Sequence, residues 1–177
     1  MNLMINSSPK QEHSIGVILA GRLASRLDGP VKTINIYESD QKYFNFKYNH
    51  EWIDLLKVAD WIILPVAMWN LTIPAALKDF FDKTVKRGEL WNLDSQNRYV
   101  GLLSDRPVYV IMTSNAEYGP QSPDDFVMPI LKAVLKSIGI QTVNEFRVEN
   151  IFDSRVMSRD AQFLQEQTQK MLKTFGL

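Results

Sequence analysis

The sequence predicts an α/β protein whose parallel sheet is covered by helices on both faces. Short apolar runs, typical of buried strands, alternate along the chain with amphipathic stretches of helical spacing. The clearest unit is the apolar run Trp61–Leu64, which Pro65 ends and which a loop of Met, Trp and Asn and then a helix follow. Alternation of this kind implies crossover connections, and therefore parallel strands with helices on both sides.

The same patterns place five strands and five helices. The strands are predicted at Leu3–Ile5, Val31–Tyr37, Trp61–Leu64, Pro107–Met112 and Thr142–Val148. The helices are predicted over 15–27, 51–58, 72–87, 122–138 and 158–174, each on an apolar stripe. Residues 38–49 are predicted to form an ordered, aromatic-rich loop, and residues 89–106 a small hairpin or irregular excursion.

Helix boundaries follow from capping residues. Thr72 is predicted as the N-cap of the third helix, with Pro74 in its first turn and Gly88 as its stop. Ser122 is predicted to begin the fourth helix, with Asp124 and Asp125 in the first turn. Gly139 is predicted to end that helix.

Composition limits the classes of function. The 177 residues predict one domain over 1–177, and 20 Lys+Arg against 20 Asp+Glu argue against nucleic acid or an anionic membrane as the main partner. The lack of cysteine excludes disulfides, thiolate metal sites and a cysteine nucleophile. No apolar run approaches the ~18 residues of a membrane span, and no signal peptide is recognised. We therefore expect a soluble, cytoplasmic protein.

Five strands in a chain of this length suit a three-layer, doubly wound sandwich with the flavodoxin-like strand order 2-1-3-4-5. In that order the loops after strands one, three and four line one crevice at the carboxyl edge of the sheet. The same three loops carry hydroxyl, aromatic and amide side chains that could contact a ligand. The sequence therefore predicts the binding site at this edge.

Each loop supplies a different chemistry. The first offers hydroxyls and a helix N-terminus, which suit a phosphate; its candidate residues are Ser8, Ser14, Ile15 and Gly16. The second offers a flat apolar surface and one amide, which suit a planar ring with polar edges; its candidates are Met68, Trp69, Asn70 and Leu71. The third adds polar edges and an aromatic ring; its candidates are Ser114, Asn115, Ala116, Glu117 and Tyr118.

Taken singly, the first loop is better explained by a cap and turn and the third by an ordinary exposed loop, while the second has an alternative explanation in a core tryptophan and a turn asparagine. Together, a phosphate cradle, a planar-ring surface and a polar loop at one switch point predict a site for flavin mononucleotide (FMN). No metal-ligand cluster and no nucleophile–base pair competes with this interpretation, because the histidines, His13 and His50, are far apart in sequence. We predict no metal site.

The chain resembles the FMN-dependent NADH:quinone and azo reductases, the azoreductase branch of flavodoxin-like proteins. The resemblance runs from Ile5 to about Phe152 and is most specific between Pro65 and Asp82. The matching positions there are Ala67 to Leu71, Ile73-Pro74, Leu77-Lys78 and Phe81-Asp82.

The resemblance implies that Ser8 and Ser14 to Gly16 hold the FMN phosphate and that Met68 to Leu71 contact the isoalloxazine. It also implies that Ser114 to Glu117 form the third flavin loop, and that Trp69, Asn70 and Tyr118 face the substrate. By the same resemblance the protein is a homodimer. A hydride passes from NADH or NADPH to the flavin, and a quinone or azo compound then takes the electrons in a ping-pong cycle. The flavin supplies the chemistry, so no catalytic side chain is predicted.

The third loop departs from the family pattern. It has Ser114-Asn115-Ala116-Glu117 where the family typically has Ser-Arg-Gly-Gly, and glycine permits a close approach and a positive φ that other residues resist. An alternative is therefore a flavodoxin-like relative with weak or lost FMN binding that acts as a non-catalytic binding module.

Overall fold

A computed structural model describes residues 1–38, 45, 47–158 and 160–177. The predicted loop over 38–49 therefore lies mostly outside the described residues. The strands are β1 (Asn2–Asn6), β2 (Val31–Asn35), β3 (Ile62–Ala67), β4 (Trp91–Leu93), β5 (Tyr99–Gly101), β6 (Val108–Thr113) and β7 (Val143–Val148). The α-helices are α1 (Ile15–Ala24), α2 (His50–Val58), α3 (Ala75–Thr84), α4 (Val127–Ser137), α5 (Ser154–Ser158) and α6 (Ala161–Phe175), and a 3₁₀ turn covers Gln11–His13.

The main sheet has five strands in the order β2-β1-β3-β6-β7, and all of its pairings are parallel. The strands β4 and β5 form a separate hairpin, so β6 and β7 are the fourth and fifth strands of the main sheet. The observed order is therefore the predicted order 2-1-3-4-5. Two apolar cores cover the two faces. One contains residues of α2, α3 and α4, and the other contains residues of α1 and α6. The predicted three-layer sandwich is confirmed.

Strand β3 runs through Pro65 and does not stop there, so the prediction that Pro65 ends it is wrong. Ile62 and Met68 donate their amides toward β6, which places the even-numbered amides of this strand on that side. The nitrogen of Pro65 consequently faces β1, and the pairing of β1 with β3 ends at Met4 and Ile63. Proline has no N–H to donate to β1, so this pairing stops here, whereas the pairing of β3 with β6 continues to Ala67 and Thr113.

Three helices begin later than predicted. One of them, α6, begins at Ala161 and not at 158, and the separate short helix α5 precedes it. Helix α3 begins at Ala75 after Pro74, because Thr72 exchanges backbone hydrogen bonds with Trp69 and is not an N-cap. This helix ends at Thr84, four residues before Gly88. Helix α4 begins at Val127, where the Asp125 carboxylate accepts the first amides at 2.9 and 3.2 Å.

The excursion over 89–106 contains the antiparallel hairpin β4–β5, so the hairpin alternative of that prediction is correct. The hairpin lies against the end of α4. Gly139, which ends α4 as predicted, has a φ of 107°. The Gly139 amide donates to the Lys136 carbonyl, and the Ile140 amide donates to the Leu135 carbonyl. These are the two hydrogen bonds of a Schellman motif. Among the described residues no helix is long and apolar enough to cross a bilayer.

The Asp105 carboxylate connects the residues that precede β6 with those that precede β7. Hydrogen bonds from the Thr142 hydroxyl, the Thr142 amide and the Gln141 amide, in that order, lower the pKa of Asp105 from 3.8 to about 2. A pKa depressed by folding stabilises the protein above its unfolded value and loses that contribution as the pH falls through the folded value. The contribution of Asp105 is therefore full above about pH 4 and disappears toward pH 2.

Asp105→Asn is accordingly expected to lower the urea midpoint of unfolding at pH 7, and the difference from the natural chain should shrink as the pH falls from 4 toward 2. Asp54→Asn is the matched control, since that carboxylate is exposed and lies 3.7 Å from the Lys57 ammonium. A difference for Asp105→Asn that stayed constant over this range would contradict the role of the ionised carboxylate.

Candidate functional site

The three loops of the predicted site follow β1, β3 and β6, which are adjacent in the sheet. Because the strands are parallel, their carboxyl ends lie at one edge. Two hydrogen bonds join the loops there. The Ser7 hydroxyl donates to the Pro65 carbonyl at 2.6 Å, and the Met68 amide donates to the Thr113 carbonyl at 2.8 Å. The fold thus sets the three loops side by side in the order first, second, third.

The first loop is held by its own side chains. The Ser8 amide donates to the Asn6 side chain at 3.0 Å, and the Ser8 hydroxyl accepts the Lys10 amide at 3.3 Å. Ser8 is buried, and Gln11 follows with a φ of 45°. The loop is therefore fixed in shape before it enters α1.

Ser14 occupies the N-cap position of α1, but its hydroxyl makes no capping hydrogen bond. The first amides of a helix have no partner inside the helix, so those of Ile15 and Gly16 can meet an external acceptor. Gly16 itself faces the sheet. A Cβ there would lie 3.5–3.6 Å from atoms of Thr113, Ile111 and Pro65, which is ordinary van der Waals contact, so α1 packs against β3 and β6 at this point.

The second loop is a two-residue turn. Trp69 and Thr72 exchange both backbone hydrogen bonds, at 2.9 and 3.0 Å, while Asn70 and Leu71 between them have φ values of 46° and 68°. Positive φ at both central positions is the pattern of a type I′ turn. Asparagine tolerates this conformation, whereas leucine is strained in it.

This turn presents its side chains outward. Trp69 is 50% exposed, Asn70 and Leu71 are also exposed, and Met68 is half-buried. The Phe126 amide donates to the Leu71 carbonyl at 3.1 Å, which ties the turn to the start of α4. A large aromatic ring, a side-chain amide and two backbone N–H groups outside the turn's own hydrogen bonds are therefore available at the end of β3.

The third loop is anchored at Ser114. The Ser114 amide donates to the Val148 carbonyl, and the Ser114 carbonyl accepts the Ile151 amide. The Ser114 hydroxyl donates to the Ala116 carbonyl at 2.7 Å. Asn115 and Glu117 are exposed, and Ala116 and Tyr118 are half-buried. Neither Ala116 nor Glu117 has a positive φ, so the loop takes its path without needing glycine at these two positions.

A charged cluster beside the third loop was not predicted from the sequence. The Arg147 guanidinium, on β7, bonds the Asp125 carboxylate at 2.5 Å and also bonds Glu145. It lies 3.9 Å from the Glu149 carboxylate, which in turn accepts the amides of Tyr118 and Gly119 at 3.0 Å each. An arginine in an otherwise half-apolar strand and a glutamate directly after it were the signals available in the sequence.

The cluster is largely desolvated, since the side chains of Arg147 and Asp125 are 9% and 3% exposed. Burial acts to lower the pKa of Arg147, but the hydrogen bond to Asp125 and the charges of Glu145 and Asp125 outweigh it, and the pKa is raised. The guanidinium therefore stays charged. Among the described residues no group of three or more His, Asp or Glu side chains is arranged to hold a metal ion.

A doubly wound sheet with three loops gathered at its switch point defines a flavodoxin-like α/β protein. The family model for the flavodoxin-like fold matches residues 2–175, and the chain belongs to this family.

Individual relatives agree with this assignment. The chain is 31% identical over 103 residues to FMN-dependent NADH:quinone oxidoreductase 2 of Hahella chejuensis, covering 57% of this chain and 51% of the relative. It is 35% identical over 98 residues to the protein of the same name from Cupriavidus pinatubonensis, covering 54% and 47%. The chain thus spans about half the length of these relatives.

A solved structure extends the similarity in fold over nearly the whole chain. The FMN-dependent NADH-azoreductase of Bacillus anthracis, determined in complex with FMN, superimposes with a TM-score of 0.78 at 20% identity, and the match covers 98% of this chain and 97% of that one.

Proposed function

We propose that this chain is an FMN-dependent oxidoreductase that takes hydride from NADH and reduces quinones or azo compounds. The observation that supports it best is the type I′ turn, which presents Trp69 and Asn70 beside an uncapped helix N-terminus. The names of the relatives from Hahella and Cupriavidus support the same activity.

The phosphate end of FMN fits the start of α1. The first-turn amides of this helix and the positive end of its dipole favour a phosphate, and Ser8 and Ser14 lie on the approach to it. The overall charge is balanced, so this local arrangement would have to supply most of the attraction.

The ring end fits the turn after β3. Trp69 supplies an exposed flat surface, Asn70 an amide side chain, and the amides of Asn70 and Leu71 lie outside the hydrogen bonds of the turn itself. When bound, FMN supplies the hydride chemistry of a ping-pong exchange between nicotinamide and acceptor. The protein residues would hold the ring, orient its polar edge and limit water at one face, so no side chain is needed as acid or base.

Replacing Asn70 tests this placement. Asn70→Ala is expected to lower kcat/KM for NADH oxidation about tenfold, because it removes the side-chain amide and strains a backbone with φ of 46°. Asn70→Gly keeps the backbone conformation and so isolates the side chain. Asn97→Ala is the matched control, since Asn97 has a φ of 59° in the β4–β5 turn.

The assay is steady-state NADH oxidation by the FMN-reconstituted protein with a quinone acceptor, together with an FMN titration of each variant. If Asn70→Ala and Asn97→Ala gave the same rates and the same FMN affinity as the natural chain, the ring would not lie at this turn.

The alternative is a flavodoxin-like binding module that holds FMN weakly or not at all. The exposed Glu117, in a loop where the family has glycine, is the observation in its favour, because a carboxylate near a ring that gains electrons opposes its reduction. Absence of NADH oxidation after reconstitution would favour this module. The homodimer and the use of NADPH remain predictions from the resemblance, and the single domain over 1–177 remains a prediction from the chain length.

A further inference from the structure

The Glu149 carboxylate is the main anchor of the distal half of the third loop. One of its oxygens, Oε1, accepts the amides of both Tyr118 and Gly119 at 3.0 Å. The proximal half is tied separately, through Ser114 to Val148, Ile151 and Ala116. Two amides that donate to one carboxylate oxygen fix the direction of the backbone between Glu117 and Pro120.

Glu149 is in turn fixed by charge. Arg147 Nη1 lies 3.9 Å from Glu149 Oε1, and this buried nitrogen makes no hydrogen bond to any described residue. The other guanidinium nitrogens bond Asp125 and Glu145, so the guanidinium is held on two further sides. A buried cation that faces the carboxylate attracts it and restrains its position.

The same guanidinium links the third loop to the second. Asp125 bonds Arg147 through Oδ2 and receives the first amides of α4 through Oδ1. The residue between Asp125 and α4, Phe126, donates its amide to Leu71 in the type I′ turn. A continuous series of contacts thus runs from Glu149 through Arg147 and Asp125 to the turn that presents Trp69 and Asn70.

We propose that Glu149, held by Arg147, is a positioning residue that sets the third loop against the ring of bound FMN. This inference rests on the proposed function. It assigns to one carboxylate outside the three loops the fixing of the third-loop backbone, which has Ala116 and Glu117 where the family pattern has glycine. The carboxylate acts through the loop backbone and is not expected to contact substrate.

The test compares Glu149→Ala and Glu149→Gln with the natural chain and with Asp105→Asn. Asp105 is a matched control, since one of its oxygens also accepts two consecutive amides, at 2.7 and 2.9 Å, but at the amino ends of β6 and β7. The readouts are the Kd for FMN, from quenching of flavin fluorescence, and amide hydrogen exchange of residues 115–121 without flavin.

Glu149→Ala is expected to raise the FMN Kd about tenfold and to speed exchange at Tyr118 and Gly119 by about tenfold or more. Glu149→Gln, which keeps a neutral acceptor, should fall between Glu149→Ala and the natural chain. Asp105→Asn should lower stability without changing either readout. This pattern separates positioning from a general loss of stability.

The FMN titration distinguishes failure of the role of Glu149 from failure of the proposed function. If the natural chain binds FMN and the Glu149 variants bind it within twofold of that affinity, this inference is wrong while the proposed function stands. If the natural chain itself binds no FMN, the proposed function fails and this inference fails with it.

Discussion

Gly139→Ala is expected to lower the free energy of unfolding by about 3 kcal/mol or more, among the largest effects of any single methyl group in this chain. Gly139 has a φ of 107°, and a Cβ there would lie 2.2 Å from the Leu103 carbonyl oxygen. Backbone cannot yield easily at this point, because the Leu103 amide is bonded to Ile138 at 2.9 Å. The conformational strain of a positive φ and the steric overlap with Leu103 therefore both destabilise this variant.

Substitutions at two other glycines separate the conformational strain from the steric overlap. Gly88 has a φ of 78°, but a Cβ added there would have no described atom within 4 Å, so Gly88→Ala should cost only the conformational strain of about 1–2 kcal/mol. Gly21 lies inside α1 with open space around it, so Gly21→Ala should raise stability by about 0.5–1 kcal/mol. Urea unfolding of the three variants gives the comparison. Equal losses for Gly139→Ala and Gly88→Ala would contradict the close approach of the Leu103 backbone to the end of α4.

Arg147→Met is the second large effect, with an expected loss of about 3–5 kcal/mol in the free energy of unfolding. The methionine would fill much of the volume but leave Asp125, Glu145 and Glu149 facing one another without the cation. The Asp125 side chain is 3% exposed, so water cannot replace the lost partner. Removing one member of a buried ion pair costs more than the pair contributes, because the remaining charge stays desolvated.

The control for this variant is Arg98→Met. Arg98 also bonds an aspartate, Asp94, at 2.8 Å, but its side chain is 71% exposed. Exposed pairs contribute about 0–1 kcal/mol, so this variant should unfold close to the natural chain in urea. If the two variants lost similar amounts of stability, the cluster around Arg147 would be solvated in the folded protein, contrary to the structure.

Much of the fold was predictable because its signals are local. The alternation of apolar strands and amphipathic helices depends on periodicities of two and 3.6 residues. These periodicities gave the five strands of the main sheet, and the flavodoxin-like topology that suits five strands gave their order. The end of α4 at Gly139 was predictable for the same reason, since a Schellman motif needs only neighbouring residues. Sheet order then placed the three loops along one edge.

Errors arose where tertiary contacts decide. Proline usually ends a strand, but here the missing N–H of Pro65 faces β1 and ends only the pairing on that side, while the pairing with β6 continues. Thr72 has the right residue type for an N-cap, yet its backbone closes the type I′ turn with Trp69. The choice between a cap and a turn depends on the packing of that loop against α4, which local sequence does not encode.

The charged cluster shows the same limit at the candidate site. Asp125 was predicted only as an acid in a helix first turn, and Arg147 and Glu149 were not singled out. These residues come together because β7 lies beside β6 and because the third loop folds over the end of β7. Their roles become visible only when the register of the two strands is known.

The measurement that tests the proposed function most directly is the visible absorption spectrum of the purified protein, before and after addition of FMN and desalting. We expect a retained flavin band that NADH bleaches under anaerobic conditions and that a quinone restores. A protein that stays colourless after desalting, while remaining folded by circular dichroism, would contradict the proposed function and favour the non-catalytic relative.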